Sequence, residues 1–165
     1  MAISKIGHAG LPTDAVLQVK QDIKTDPFNT SSTSFTDITG LSVAITPKST
    51  SSKILVEAQI SINASSTYTK FVDLVRGSTS IFRGGDASDN KIECTVWGRD
   101  EANVGGQVWN ISYLDSPSST SALTYKLQTS VQSGGEVTIN RSQSDANQAY
   151  LGRGTSSITV TEIAG

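Results

Sequence analysis

Residues 54–63, ILVEAQISIN, place Ile54, Val56, Ala58, Ile60 and Ile62 at every second position, with Leu55, Glu57, Gln59, Ser61 and Asn63 between them. Successive strand side chains point to opposite faces, so this stretch forms a strand with one wall on a core and the other towards water. The same period runs through Leu41, Val43 and Ile45, and through Leu17, Val19 and Ile23 near the start of the chain. No segment sustains a helical period.

Working outward, strands are expected at 15–24, 35–38, 41–46, 54–63, 70–76, 80–83, 91–97, 107–114, 123–131, 136–140 and 157–163. Between them lie turn signals: Asp26-Pro27, Thr39-Gly40, Gly84-Gly85-Asp86, Gly105-Gly106, Ser116-Pro117, Ser133-Gly134-Gly135 and Gly152-Arg153-Gly154. With no helix to cover a sheet, short strands so regularly interrupted predict an all-β antiparallel sandwich of the jelly-roll type over 15–165. Residues 1–14, MAISKIGHAGLPTD, hold only scattered apolar side chains (Ile3, Ile6, Leu11) and read as an N-terminal arm.

Two expected strands are apolar on both faces: Phe71-Val72-Asp73-Leu74-Val75 and Val108-Trp109-Asn110-Ile111-Ser112-Tyr113-Leu114. One face packs inside the sandwich, and the other needs a cover, because a broad exposed apolar patch is uncommon on a soluble monomer. The cover is either the chain's own loops or another subunit.

The 165 residues suffice for one domain with a core of its own. Charged residues make up only 17% of the chain, while Ser and Thr account for about a quarter. That composition suits a hydroxyl-coated β surface and is unlike a disordered segment. A net charge of -2 supplies no positive field for nucleic acid. The longest aliphatic run, Ile54-Leu55-Val56, is far short of a membrane span, and the first residues lack a basic-then-apolar leader. A protein made in a cytoplasm, with neither membrane insertion nor nucleic-acid partner, is expected. Cys94 is the single cysteine, so no intrachain disulfide can form.

Groups for catalysis are few. His8 is the single histidine and lies in the arm, so a Ser-His-Asp or Cys-His set would need the arm to fold back. One Cys and one His cannot close a zinc site. Asp86, Asp89 and Asn90 match no calcium-loop spacing and read as a turn. Asp100 and Glu101 are adjacent and point apart, which is wrong for a glycosidase pair. Asn-x-Ser/Thr sequons at Asn29, Asn63, Asn110 and Asn140 arise by chance in so hydroxyl-rich a chain. No catalytic residue, metal site or cofactor is expected. Trp97 and Tyr150 flank loop regions and are candidates for glycan contact, whereas Trp109, alternating with Ile111 and Tyr113, belongs to core or interface.

Five blocks in order, AVLQVKQDIKTDPFNTSSTSFTDITGLSVAITPKSTSSKILV (15–56), LVRGSTSIFRGGDASDN (74–90), YLDSPSSTSALTYKLQ (113–128), GGEVTINRS (134–142) and RGTSSITVTEIA (153–164), resemble a family of tailed-bacteriophage virion proteins of marine and freshwater phages, described as tail-fibre or structural proteins. The resemblance implies a tumour-necrosis-factor-type jelly roll assembled as a homotrimer, with Tyr113 and Tyr125, and Trp109 beside them, near the three-fold axis. It implies a non-enzymatic protein located in the virion and partnered by other capsid or tail proteins. The short arm favours a capsid decoration or cement protein anchored through Ile3, Ile6 and Leu11. The alternative is a tail-fibre or tail-tip module binding a host surface glycan.

Overall fold

The computed structural model describes residues 12–85, 89–101 and 105–165. The arm candidates Ile3, Ile6 and Leu11, and Asp86 of the expected turn, lie outside the described residues.

Eleven strands occur among the described residues: β1 (Val16–Lys24), β2 (Phe28–Thr30), β3 (Thr36–Ile45), β4 (Lys53–Ala64), β5 (Thr69–Arg76), β6 (Thr79–Ser80), β7 (Val96–Arg99), β8 (Gln107–Asp115), β9 (Leu123–Val131), β10 (Val137–Ile139) and β11 (Ser156–Ile163). They form two antiparallel sheets. Sheet A runs β1-β11-β4-β8, with β10 and β2 continuing from the far end of β4. Sheet B runs β3-β9-β5, and the free edge of β5 pairs with both β6 and β7. If the short β2, β6 and β10 are set aside, the remaining eight strands pair first with last, second with seventh, third with sixth and fourth with fifth. A long hairpin rolled on itself gives that order, and it makes the sandwich a jelly roll.

Alternation decides which face is buried. Ile54, Val56, Ile60 and Ile62 of β4 meet Ile158 and Val160 of β11 and, across the sandwich, Val72, Leu74 and Leu127. The expected strands at 35–38 and 41–46 merge into β3 across a bulge in the β9 pairing between Asp37 and Ser42. Gly40, at φ +84°, takes the left-handed turn there, and both Ile38 and Leu41 reach the core. The expected strand at 91–97 shrinks to Val96–Arg99: Thr95 still bonds the edge of β5, its amide donating to the Val72 carbonyl (2.9 Å) and its hydroxyl accepting from the Leu74 amide (2.9 Å), whereas Cys94 leaves that edge and its carbonyl accepts from the Gly84 amide (3.1 Å). Cys94 is buried in the segment before β7 and not in a strand. The short β2 had no alternating pattern to announce it; it exists because β10 offers an edge.

Each end of the sandwich interior holds a buried carboxylate bonded across the gap. At one end Asp100 accepts from Lys70 Nζ of β5 (2.5 Å) and from the Ala64 amide of β4 (2.5 Å), and the Lys70 ammonium sits 5.0 Å from the Trp109 ring centre. Burial pushes the Lys70 pKa down, against the pull of Asp100. At the other end Asp115 of β8 accepts from Arg76 Nη1 (2.5 Å) and from the Tyr125 hydroxyl (2.7 Å), both from sheet B. Burial first, and Asp115 second, keep the Tyr125 hydroxyl protonated far beyond its ordinary range. A third polar node is Asn140, which donates to the Lys24 and Asp26 carbonyls and accepts from Ser156 Oγ, tying β10 to the ends of β1 and β11.

An ion pair that loses one partner leaves a buried charge. Asp100→Ala is expected to cost about 3 kcal/mol in urea unfolding, and adding Lys70→Met to recover part of that loss. Glu162 is fully buried and accepts from Gln18 Nε2 (2.6 Å) and the Lys48 amide (2.6 Å). Burial alone would raise its pKa, but these bonds outweigh it and hold the carboxyl below the ordinary glutamate range. Its contribution is therefore complete above about pH 4.3 and is lost as the pH falls through the folded value. Glu162→Gln should be less stable by about 1–2 kcal/mol at pH 7, with a shallower loss between pH 5 and pH 2 in thermal melts.

Candidate functional site

Two surfaces remain once the core is assigned. The first is the outer face of sheet A. Cross-strand register lines up Val19 of β1, Thr161 of β11, Leu55 of β4 and Leu114 of β8 in one row. Beside it Val16 pairs with Ile163, and Ile163 with the exposed Lys53. Val16, Val19 and Leu114 are exposed. The next rows hold Gln21, Thr159, Glu57 and Ser112, then Ile23, Ser157, Gln59 and Asn110. Over these three rows, counted from Val19, Glu57 is the single charged side chain, so the face is poor in charge and apolar along one side, with a shallow hollow of about 350 Å³ between Glu57, Asn110 and Ser157. An interface core has this composition, being depleted of charge.

The second surface is a groove of about 1080 Å³ on the outer face of sheet B. Its floor is set by register, since Phe71 pairs with Trp97 and Thr69 with Arg99 between β5 and β7. One wall is Gly84-Gly85 with Ile92 and Cys94, and the other is Thr33 with Gln132 and Ser133. The outer face of β5 beyond Phe71 is covered by the chain itself: Arg83 bonds Asp73 Oδ2 through Nε (2.9 Å) and Nη2 (2.6 Å), and Ser80 bonds Asp73 Oδ1 (2.8 Å). The Asp73 carboxylate, first through these bonds, raises the Arg83 pKa. Arg83 also lies 5.0 Å from the Phe35 ring centre. Own-chain cover thus explains the doubly apolar β5, while β8 keeps Val108 and Leu114 exposed.

The candidate interface residues lie on the inner side. Tyr125 is fully buried and held by Asp115, so its side chain presents no surface to a three-fold axis. This corrects the sequence expectation: Tyr125 faces inward with Val43 and Leu127 and not outward with Lys126. Tyr113 packs on the core and stacks on Phe82 with ring centres 4.8 Å apart. Trp109 packs there too, its ring so close to Gly98 that a Cβ at that position would stand 2.7 Å from it. The side chains on β8 open to a neighbour are Val108, Asn110, Ser112 and Leu114. Of the two glycan candidates, Trp97 is 66% exposed on the groove floor, whereas Tyr150, 72% exposed in the loop before β11, does not line the groove. The structure does not bring them together.

Sequence reasoning flagged Phe71 and Leu114 in the doubly apolar strands but missed Arg99 and Leu55 as their surface neighbours. Their alternation was visible, but which neighbours stand beside them is set by register between strands distant in sequence. Of the sequons, Asn63 and Asn140 are buried.

No protein-family model matches the chain, and no curated protein does. Among solved structures, the chain is similar to two of infectious bursal disease virus. The Gt strain structure aligns at TM-score 0.48 and 13% identity over 99% of this chain and 43% of that one. The Gx strain structure aligns at TM-score 0.43 and 13% identity over 98% and 45%. The chain thus spans less than half the length of either, and at these scores the likeness carries no inference about function.

Cys94 lines the groove yet is only 7% exposed, and burial pushes its thiol pKa up, with Asp73 adding to the effect. Labelling by an aromatic disulfide at pH 8 is expected to be at least about tenfold slower than in denaturant. Labelling at the denatured rate would show that the segment over β5 opens freely.

Proposed function

We propose that the chain is a non-enzymatic structural subunit of a virion, a homotrimer that packs the outer face of sheet A against its symmetry mates and decorates a shell through its N-terminal arm. The observation that carries the assembly is the neutral row Val19, Thr161, Leu55 and Leu114, flanked by rows with one charge each, Lys53 and Glu57. A monomer would leave that surface wet, whereas copies sharing it bury it with little charge to desolvate. The virion role is supported by the ordered blocks that resemble tailed-phage structural proteins. The buried Lys70, Asp100 and Asp115 are engaged in holding the sandwich together and Asp73 in holding Arg83 over β5, which favours adhesion over turnover. Three arms on one trimer would bind with avidity, because after the first engages the others act at high effective concentration.

Light scattering coupled to size exclusion should give three times the 17.4 kDa of the chain. Leu55→Lys combined with Leu114→Lys should yield a monomer with an unchanged β circular-dichroism spectrum. A wild-type monomer at micromolar concentration overturns the trimer. Deleting residues 1–12 should keep the trimer and abolish particle binding, and full occupancy without them rejects the anchoring role. Hundreds of copies per particle agree with shell decoration, and a few tens with a tail or vertex position instead.

A further inference from the structure

The groove on sheet B faces away from the seam proposed on sheet A, so it stays open in the assembly, and what it binds does not depend on the oligomeric state. Its floor pairs two aromatic side chains, Phe71 and Trp97, directly across β5 and β7, and continues with Thr69 beside Arg99. Leaving an indole 66% exposed on a strand forgoes a large burial gain, since an aromatic side chain buries 150–250 Å² when covered. Around the floor stand Thr33, Asn90, Gln132 and Ser133, neutral groups that donate or accept hydrogen bonds, and the rim also carries Lys91 and Glu93, whose opposite charges offset each other and leave Arg99 as the net charge of the groove. The flat apolar ring face within a rim of hydroxyls and amides matches a pyranose, which is apolar on its C–H face and hydroxylated at its edge.

Charge narrows the ligand further. The chain has five arginines, and four are paired: Arg76 with Asp115, Arg83 with Asp73, Arg141 with Glu136 and Arg153 with Asp145. Arg99 is exposed, lines the groove, and has no carboxylate partner among the described residues. It stands two residues from Trp97 on the same face of the same strand. A guanidinium fork binds a planar anion through two parallel hydrogen bonds.

We propose that this groove binds an anionic saccharide, with one sugar ring lying on Trp97 and its carboxylate or sulfate held by Arg99. Phe71 extends the platform for a neighbouring ring, and Gln132 and Thr69 meet hydroxyl groups at the rim. The volume of about 1080 Å³ is at the upper end of small-ligand sites and suits a short oligosaccharide rather than a single sugar.

The test is titration of the full-length chain by calorimetry and tryptophan fluorescence with four probes: a hexuronate oligosaccharide, a sulfated oligosaccharide, a neutral oligosaccharide of the same length, and inorganic sulfate. Saturable binding of one or both anionic sugars is expected, weaker at high salt, with the neutral sugar at least about tenfold weaker. Which anionic sugar binds tells carboxylate from sulfate. Trp97→Ala should abolish binding, Arg99→Gln should bring the anionic sugar down to the neutral one, and Tyr150→Ala, outside the groove, should change nothing. On the wild-type chain, bound sugar should also shield Trp97 from acrylamide quenching, a readout that needs no variant. No saturable binding of any saccharide overturns the proposal. So does wild-type affinity in Trp97→Ala, or inorganic sulfate alone giving the full response.

Discussion

Strand β5 holds the two sheets in register through charge. Its inner face reads Lys70, Val72, Leu74, Arg76, with cations at both ends about 20 Å apart and aliphatic side chains between. Each cation meets a buried carboxylate that also bonds elsewhere: Asp100 to the β4 amide of Ala64, and Asp115 to the β9 hydroxyl of Tyr125. The aliphatic layer supplies most of the free energy of closure but is indifferent to small slides between sheets. The end pairs are not, because a one-residue slip of either sheet would strand a carboxylate in the apolar interior, at a cost of several kcal/mol.

That clamp also shapes what the outer surfaces can be. With Lys70 and Arg76 of β5, Asp100 after β7 and Asp115 of β8 turned inward, the outer face of β8 keeps Val108, Asn110, Ser112 and Leu114, none of them charged. On the other side, Asp73 draws Arg83 and Thr95 over β5, which props the segment ending at β7 against the sheet. The groove floor is what that segment does not cover, namely Phe71, Trp97, Thr69 and Arg99. A neutral face for copies of the chain and an aromatic groove for a soluble ligand thus follow from one internal arrangement.

Alternation in β4, β9 and β11 sufficed to place the core, because a half-buried strand must repeat every two residues whatever its partners are. Where the chain departs from that period, in the bulge at Gly40 and the irregular segment before Val96, the pattern misled by splitting or lengthening strands. Tyr125 shows the limit more sharply: an aromatic side chain between Thr124 and Lys126 reads the same whether its hydroxyl finds water or Asp115.

By itself, then, the sequence determined an all-β sandwich, its core-facing positions and the scarcity of catalytic groups, since these follow from composition and local periodicity. Only the tertiary structure decided that Lys70 finds Asp100 thirty positions away and that Arg76 finds Asp115 thirty-nine away. It alone placed Leu55 beside Leu114 and Trp97 beside Phe71. Such pairings depend on register between strands far apart in the chain, and register is chosen by the closure of the whole sandwich rather than by any short stretch of residues.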